Sequence, residues 1–282
     1  MKNWRWRFTG GMLLVWSGIL CAGESEFVRI QKDEKQQPIA LETSMIPFQS
    51  EDGEVSVTLI GAIHLGEKAY YEKLNEEFKK FDAVLYEIVA PEGSRPVSEE
   101  ECSGWVGWSQ RFSGQLLGLT HQIGAIDYSA KNMIHADMTP KEFDKAMKDR
   151  NESFLIWYAR TLGYQTGVAP VGMDEEEIRF WLVLAFPGKR LGLKRLMAEQ
   201  MTDMDASIVP VEGKEGSALL KDRNDKALKI LRTQLDAGKK NIAIFYGAAH
   251  LPYFSQTLEK EFHFKKQKPV WLEAWNLVNF ND

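Results

Sequence analysis

Gly61-Ala62-Ile63-His64-Leu65 recurs near the other end of the chain as Gly247-Ala248-Ala249-His250-Leu251. A short apolar run precedes each copy, Val55-Ser56-Val57-Thr58-Leu59-Ile60 before the first and Asn241-Ile242-Ala243-Ile244-Phe245-Tyr246 before the second. Both runs read as strands, and the segment after each copy reads as a helix. The sequence therefore places a glycine, and three residues later a histidine, at two strand-to-helix turns. In an open α/β sheet such turns lie at the carboxyl ends of the strands, where ligands bind. Two imidazoles delivered to one sheet edge can begin a metal site or an acid–base site.

Working outward from the first copy, Glu67 to Phe81 carries apolar residues at Tyr71, Leu74, Phe78 and Phe81, a helical spacing with a Lys/Glu-rich outer face. Ala83 to Val89 then reads as a buried strand that ends at Pro91-Glu92-Gly93. Strand, helix and strand over so short a stretch form a βαβ unit, so the two strands should be parallel. Upstream, Phe27 to Ile30 and Leu41 to Phe48 read as strands, the latter leading to a turn at Asp52-Gly53.

Working back from the second copy, Ser217 to Leu235 reads as a helix that stops at Ala237-Gly238, and Val270 to Leu277 reads as a last strand. The middle is mainly helical. An apolar stripe runs from Trp105 to Leu119, a helix starts at Thr139-Pro140 and runs on to Leu162, a buried helix covers Ile178 to Phe186, and another covers Leu191 to Met204. Ile123 to Tyr128 and Ile134 to Asp137 read as short extended pieces. The expected fold class is α/β: one domain over residues 24–282, with a central mixed, largely parallel sheet, flanking helices and a helical insertion at about 100–215.

Hydrophobic residues make up 44% and charged residues 27% of the 282-residue chain, an ordinary globular balance rather than a disordered or fibrous one. The formal net charge of -5 argues against nucleic acid as a partner, because phosphate binding wants a basic face. Residues 1–23 read as a signal peptide, with Lys2, Arg5 and Arg7 first, an apolar run from Phe8 to Leu20, and small residues at Cys21-Ala22-Gly23. That run falls short of the roughly 20 residues a membrane span needs. A secreted or periplasmic location follows, with no transmembrane segment in the mature chain. Lipid anchoring through Cys21 is the weaker alternative, because Leu20 stands where that processing wants a small residue. Only Cys102 would remain after cleavage, so no internal disulfide is expected.

Three constellations could carry chemistry. His64, His250 and Glu87 fall near the ends of strands expected to share a sheet. Two neutral imidazoles and a carboxylate suit a divalent transition metal with open positions for water and substrate. Gly61 and Gly247 allow a sharp turn or a close ligand approach there. Asp222-Arg223-Asn224-Asp225 lies on the helix before the second copy; it reads either as a solvated face or as the source of an arginine that binds an anion or polarises a carbonyl. His135-Ala136-Asp137, with Asp127 and His121 upstream, could supply ligands or their supports, the competing reading being turn chemistry before the Thr139 cap. No G-x-S-x-G elbow, P-loop, H-E-x-x-H or paired C-x-x-C is present.

Gly61-Ala62-Ile63-His64, Tyr86-Glu87, Asp222-Arg223-Asn224 and Gly247-Ala248-Ala249-His250-Leu251-Pro252, taken in order, resemble the TraB/PrgY/GumN family, which includes the Tiki proteases. The resemblance covers about residues 55–278. It implies an α/β core related to the erythromycin-esterase and haem-binding ChaN-like proteins. For Tiki-like members it implies proteolysis dependent on manganese or cobalt. Carried over, His64, Glu87 and His250 become the metal or catalytic set, with Arg223 and Asn224 in support.

The leading expectation is thus a metal-dependent hydrolase of peptides or small molecules. The metal would polarise the scissile carbonyl and activate water, Glu87 would serve as ligand or base, and Arg223 would stabilise an oxyanion. The alternatives are a non-catalytic protein that sequesters a peptide or haem-like ligand, and a metal-free esterase in which one histidine activates water.

Overall fold

The apolar runs ahead of the two G-A-x-H-L stretches form neighbouring parallel strands, β3 (Ser56–Ala62) and β8 (Asn241–Gly247). They belong to a computed structural model that describes residues 25–96, 117–150, 152, 216–279 and, apart from 193, 196 and 200, residues 191–202. The expected signal peptide, Cys102, the stripe from Trp105 to Leu116, and the helices expected over 153–190 lie outside the described residues.

The chain is α/β with a mixed sheet. Its parallel part runs β3, β8, β5 (Ala83–Tyr86) and β7 (Met133–His135). The antiparallel part is built on the twelve-residue strand β2 (Pro38–Gln49), which pairs with β1 (Val28–Lys32), β3, β9 (Lys265–Lys266) and β10 (Val270–Asn276). The Asp52-Gly53 turn joins β2 to β3 as expected. The strands β3 and β5 of the expected βαβ unit are parallel but do not touch, because β8 inserts between them. The two G-x-x-H strands are thereby neighbours, and the strand that leads to Glu87 lies on the other side of the second.

Helices cover both faces. On one, α1 (Lys68–Phe78) buries Tyr70, Tyr71, Leu74 and Phe78, the stripe its spacing predicts, though it ends three residues before Phe81. A short two-stranded piece lies beyond it, pairing β4 (Leu65–Gly66) with β6 (Thr120–His121). The expected strand at Ile123 to Tyr128 is instead a one-turn helix, α2 (Gln122–Ala125). The pairing with β4 stops at His121, and the Gln122 N–H donates to the His64 carbonyl, so the backbone turns there. On the opposite face lie α4 (Arg223–Asp236) and α5 (Leu251–Lys260), whose Ala227, Leu228, Leu231, Phe254 and Leu258 pack on Leu59, Leu85 and Ile244.

Between β7 and the described residues at 216–222 lies α3 (Pro140–Asp149). Thr139 caps it in a complete capping box with Glu142, as the Thr-Pro start predicts. It closes at Arg150, well short of the Leu162 expected from periodicity, and 153–162 lie outside the described residues. Part of the expected helical insertion thus joins the main sheet as β7. Residues 191–202 are helical where described. No helix among the described residues is long and apolar enough to cross a membrane.

Candidate functional site

Four of the residues singled out in the sequence meet at the carboxyl ends of β5 and β8. Glu87 directly follows β5. His250 closes the single 3-10 turn Ala248–His250 between β8 and α5. Arg223 and Asn224 open α4. Across the group, His250 Nδ1 lies 2.6 Å from Asn224 Oδ1, His250 Nε2 lies 3.3 Å from Glu87 Oε1, and Arg223 Nη2 donates to Glu87 Oε1 at 2.6 Å. The remaining Glu87 oxygen, Oε2, accepts from the Gly247 N–H at 2.7 Å.

Gly247 explains why this close approach is possible. A Cβ at that position would stand 3.2 Å from Glu87 Oε2, tighter than the neighbouring carboxylate allows without moving. Gly61 has a different place from the one its motif suggests. It sits buried inside β3, where its carbonyl accepts from the Tyr70 hydroxyl at 2.9 Å.

Arg223 is the hub. Its Nε donates to Asp137 Oδ1 at 2.9 Å and its Nη2 to Asp137 Oδ2 at 2.5 Å, a fork on one carboxylate with a branch to the other. The Asp137 side chain has no exposed surface and that of Arg223 is 9% exposed. An unpaired charge at that depth costs several kcal/mol, so the guanidinium and the carboxylates hold one another in place. Arg223 enters the site by holding the two carboxylates through its Nε and Nη2, while its Nη1 reaches the Leu219 carbonyl at 3.4 Å.

Electrostatics follow from these contacts. Burial opposes ionisation of Glu87, but His250, Arg223 and, more weakly, His64 outweigh it and hold the carboxyl well below its ordinary range. Burial also works against the charge on Arg223, and Glu87 and Asp137 reverse the balance, so the guanidinium stays charged. Tyr246, the last residue before the second glycine, does not stand out in the sequence. Its ring meets His250 edge-on at 5.3 Å and its hydroxyl donates to the Ala136 carbonyl at 2.5 Å. Burial first, then the nearby Asp137 and Glu87 charges, push its pKa far up and keep it neutral. Its one signal is its position, an aromatic residue at the end of the strand that carries the motif.

His64 stands apart. It is exposed in a bend after β3, and it acts on Glu87 only as one of the weaker charges. Of the three expected metal ligands, Glu87 and His250 are in contact, and His64 adds a weaker charge to the same carboxylate. Among the described residues no group of three or more His, Cys, Asp or Glu is spaced to hold an ion. His135 ties the end of β7 to the loop after Glu87, its Nε2 lying 2.7 Å from the Ile88 carbonyl. Asp127 caps an exposed turn at Ser129, which is sufficient for it, while His121 pairs its backbone with Leu65 and keeps its Nε2 buried without a hydrogen-bond partner. Asp137 is the one undecided residue that proves part of the site.

The fold and the site define an α/β protein with a histidine–carboxylate–arginine centre at the carboxyl edge of a mixed sheet. Comparison of the chain with protein-family models, with curated proteins and with solved structures finds no match.

Proposed function

We propose that the chain is a hydrolase of amide or ester bonds, a peptidase first among them, in which His250 takes the proton of an attacking water. The observation that carries this reading is the line from Asn224 through His250 to Glu87. With Asn224 Oδ1 accepting, Nδ1 carries a proton and Nε2 carries the lone pair. A lone pair 3.3 Å from a carboxylate oxygen is a poor contact, whereas a protonated Nε2 at that distance forms an ion pair with it. Each proton that Nε2 accepts is therefore stabilised by Glu87. The interaction is strongest when the ring is charged, as in a transition state for water attack, so it is spent on catalysis rather than on ground-state binding.

Glu87 is poorly suited to be the base itself, because its neighbours hold it ionised. Arg223 and Asp137 keep that carboxylate fixed and charged. The ordered G-x-x-H, glutamate, arginine–asparagine and G-x-x-H residues, similar to the TraB/PrgY/GumN family, support hydrolysis on the same site, in a secreted or periplasmic protein. No step is routed through a metal; manganese and cobalt enter as reagents in the test.

That test is hydrolysis of a peptide library and of simple esters by the purified chain, before and after chelation, with manganese or cobalt added back. Turnover that survives chelation and is lost in His250→Ala supports the reading. Turnover that returns only with the metal replaces it with the metal-dependent hydrolase the resemblance implies. Unchanged turnover in His250→Ala overturns it. A Soret band or tight peptide binding without turnover points to the sequestering protein instead.

A further inference from the structure

The run Asp222-Arg223-Asn224-Asp225 divides its side chains between two tasks. Arg223 and Asn224 enter the site. Asp222 binds Arg150, while Asp225 binds Lys221 and the Tyr253 hydroxyl. The backbone just ahead separates the two tasks. Ala218–Asp222 is a single π-turn, in which the Asp222 N–H donates to the Ser217 carbonyl at 3.2 Å. A π-turn holds one residue more than an α-turn, and such turns are rare and frequently lie at functional sites. At 3.6 residues per turn, one extra residue rotates everything after it by about 100° relative to an uninterrupted α-helix. Arg223 and Asn224 lie one turn ahead of Ala227 and Leu228 on the buried face of α4, so whether this turn persists sets how the chain enters that face and where the first turn of α4 stands.

Arg150 fastens the turn at both ends. Its Nε and Nη2 donate to Asp222 Oδ2 and Oδ1 at 2.6 and 2.7 Å, and its Nη1 donates to the Gly216 carbonyl at 3.0 Å. Glu152, two residues on, accepts from the Ala218 N–H at 3.0 Å. Gly216 has φ +70°, and a Cβ there would come within 2.7 Å of the Lys221 side chain, so the chain is bent tightly at the point that Arg150 grips. Arg150 is also the C-cap of α3, and Asp137 lies two residues before the Thr139 cap at the other end. One short helix thus carries, beyond its two ends, the partner of Arg223 and the clasp on the turn that aims Arg223.

We infer that Arg150 is a positioning residue for the site: by closing the π-turn it fixes the first turn of α4, which carries Arg223 to Glu87 and Asn224 to His250. Its effect on turnover rests on the hydrolase reading; its effect on His250 does not.

The experiment uses the full chain labelled with ¹⁵N-histidine, whose five histidines include His250, assigned by its loss in His250→Ala. In Arg150→Ala the signal of the Nδ1 proton shared with Asn224 shifts or disappears, while circular dichroism and cooperative unfolding persist. Arg150→Lys, which keeps the charge but not the fork, fails to restore it. Lys226→Ala, which removes the exposed ion pair between α4 and Glu142 of α3, leaves the signal in place. If Arg150→Ala does not fold, Asp222→Asn carries the same test, since it weakens the clasp while keeping the side-chain shape. Where turnover is measurable, the clasp variants lose about 10²-fold in kcat with KM little changed. A folded clasp variant with an unmoved His250 signal overturns the inference, as does an equal shift in Lys226→Ala. An inactive wild-type chain with the shift present would sink the hydrolase reading alone.

Discussion

The two G-A-x-H-L stretches share four of their five residues, yet one sends its histidine into a buried charge network and the other leaves it at the surface. Register is the reason. In the parallel pairing of β3 with β8, Gly61 stands beside Tyr246, and Gly247 stands beside Ala62. The motifs are one residue out of phase. Side chains alternate along a strand, so equivalent motif positions face opposite sides of the sheet. Accordingly, a Cβ on Gly61 would look toward Leu251 of α5, while one on Gly247 would look toward Glu87. The continuation differs as well. Pro252 sits in the first turn of α5 and suits a helix that starts at once. Leu65 and Gly66 instead pair with His121 and Thr120 and delay α1 to Lys68.

The means of support differ in kind. The first turn is held by backbone. Its carbonyls at Ile63, His64 and Leu65 accept from the Tyr71 hydroxyl at 2.8 Å, the Gln122 N–H at 3.0 Å and the Trp275 indole at 2.6 Å. Buried Lys194 then anchors Glu67 at 2.6 Å. The second turn is held by charge, through Glu87, Arg223 and Asp137. An identical word in the sequence thus marks two different structural devices.

The largest expected effect separates the two histidines. His250→Ala should lower kcat by about 10²–10⁴-fold, the range for a proton-transfer group. His64→Ala should cost no more than roughly tenfold, the scale of a one-unit pKa effect at longer range. Equal losses in steady-state assays would mean that the histidines share one site and would undo the contrast. Next comes stability. Arg223→Met leaves the buried Asp137 without a counter-charge and Glu87 with His250 alone, and should cost about 3–5 kcal/mol in urea unfolding. Lys194→Met, which cuts the anchor of the first turn, should cost about 1–3 kcal/mol, because the partly exposed Glu67 keeps the Asn276 N–H as a partner.

The glycines give a smaller difference. Gly247→Ala should weaken the N–H bond to Glu87 and cost about 1.5–3 kcal/mol, the usual worth of a hydrogen bond to a charged group. Gly61→Ala meets its nearest neighbour, the tip of Leu251, at 3.4 Å and should be close to neutral. Matching melting temperatures for the two would show that the Gly247–Glu87 contact does not matter. The smallest effect is a slope with pH. The Glu87 carboxyl is depressed on folding, so the stability it adds is fully present above its ordinary value of 4.5 and is lost as pH falls through the lower folded value. Glu87→Gln should flatten that acid limb in denaturation curves measured from neutral pH downward, while His64→Ala should leave it nearly as steep.

Much of this is legible in the chain. Period-two and helical spacing locate β3, α1, β5, α4 and β8, and the Thr139-Pro140 pair locates the start of α3. His64, His250 and Glu87 stand out as a group in the sequence, Arg223 and Asn224 join them only through the family resemblance, and Asp137 stays open there between ligand and turn residue. Spacing alone makes the helix after Thr139 too long, because apolar periodicity continues past Arg150 although the backbone caps there. The apolar composition of Ile123 to Tyr128 predicts a strand, while one hydrogen bond from Gln122 to His64 makes the chain turn. Local pattern encodes which face an element buries; it does not encode where a partner far along the chain will cut it off.

The sequence by itself determined most of the elements, the two glycine–histidine turns and the residue types at the site, because each follows from spacing over a few positions. Tertiary structure decided that β8 slides between β3 and β5, that the two motifs meet one residue out of phase, and that Asp137 reaches across to Arg223. Strand order and register are fixed by pairings between distant segments and by the two hydrophobic faces they must bury together. Those are properties of the whole packed sheet, and no short stretch of the chain contains them.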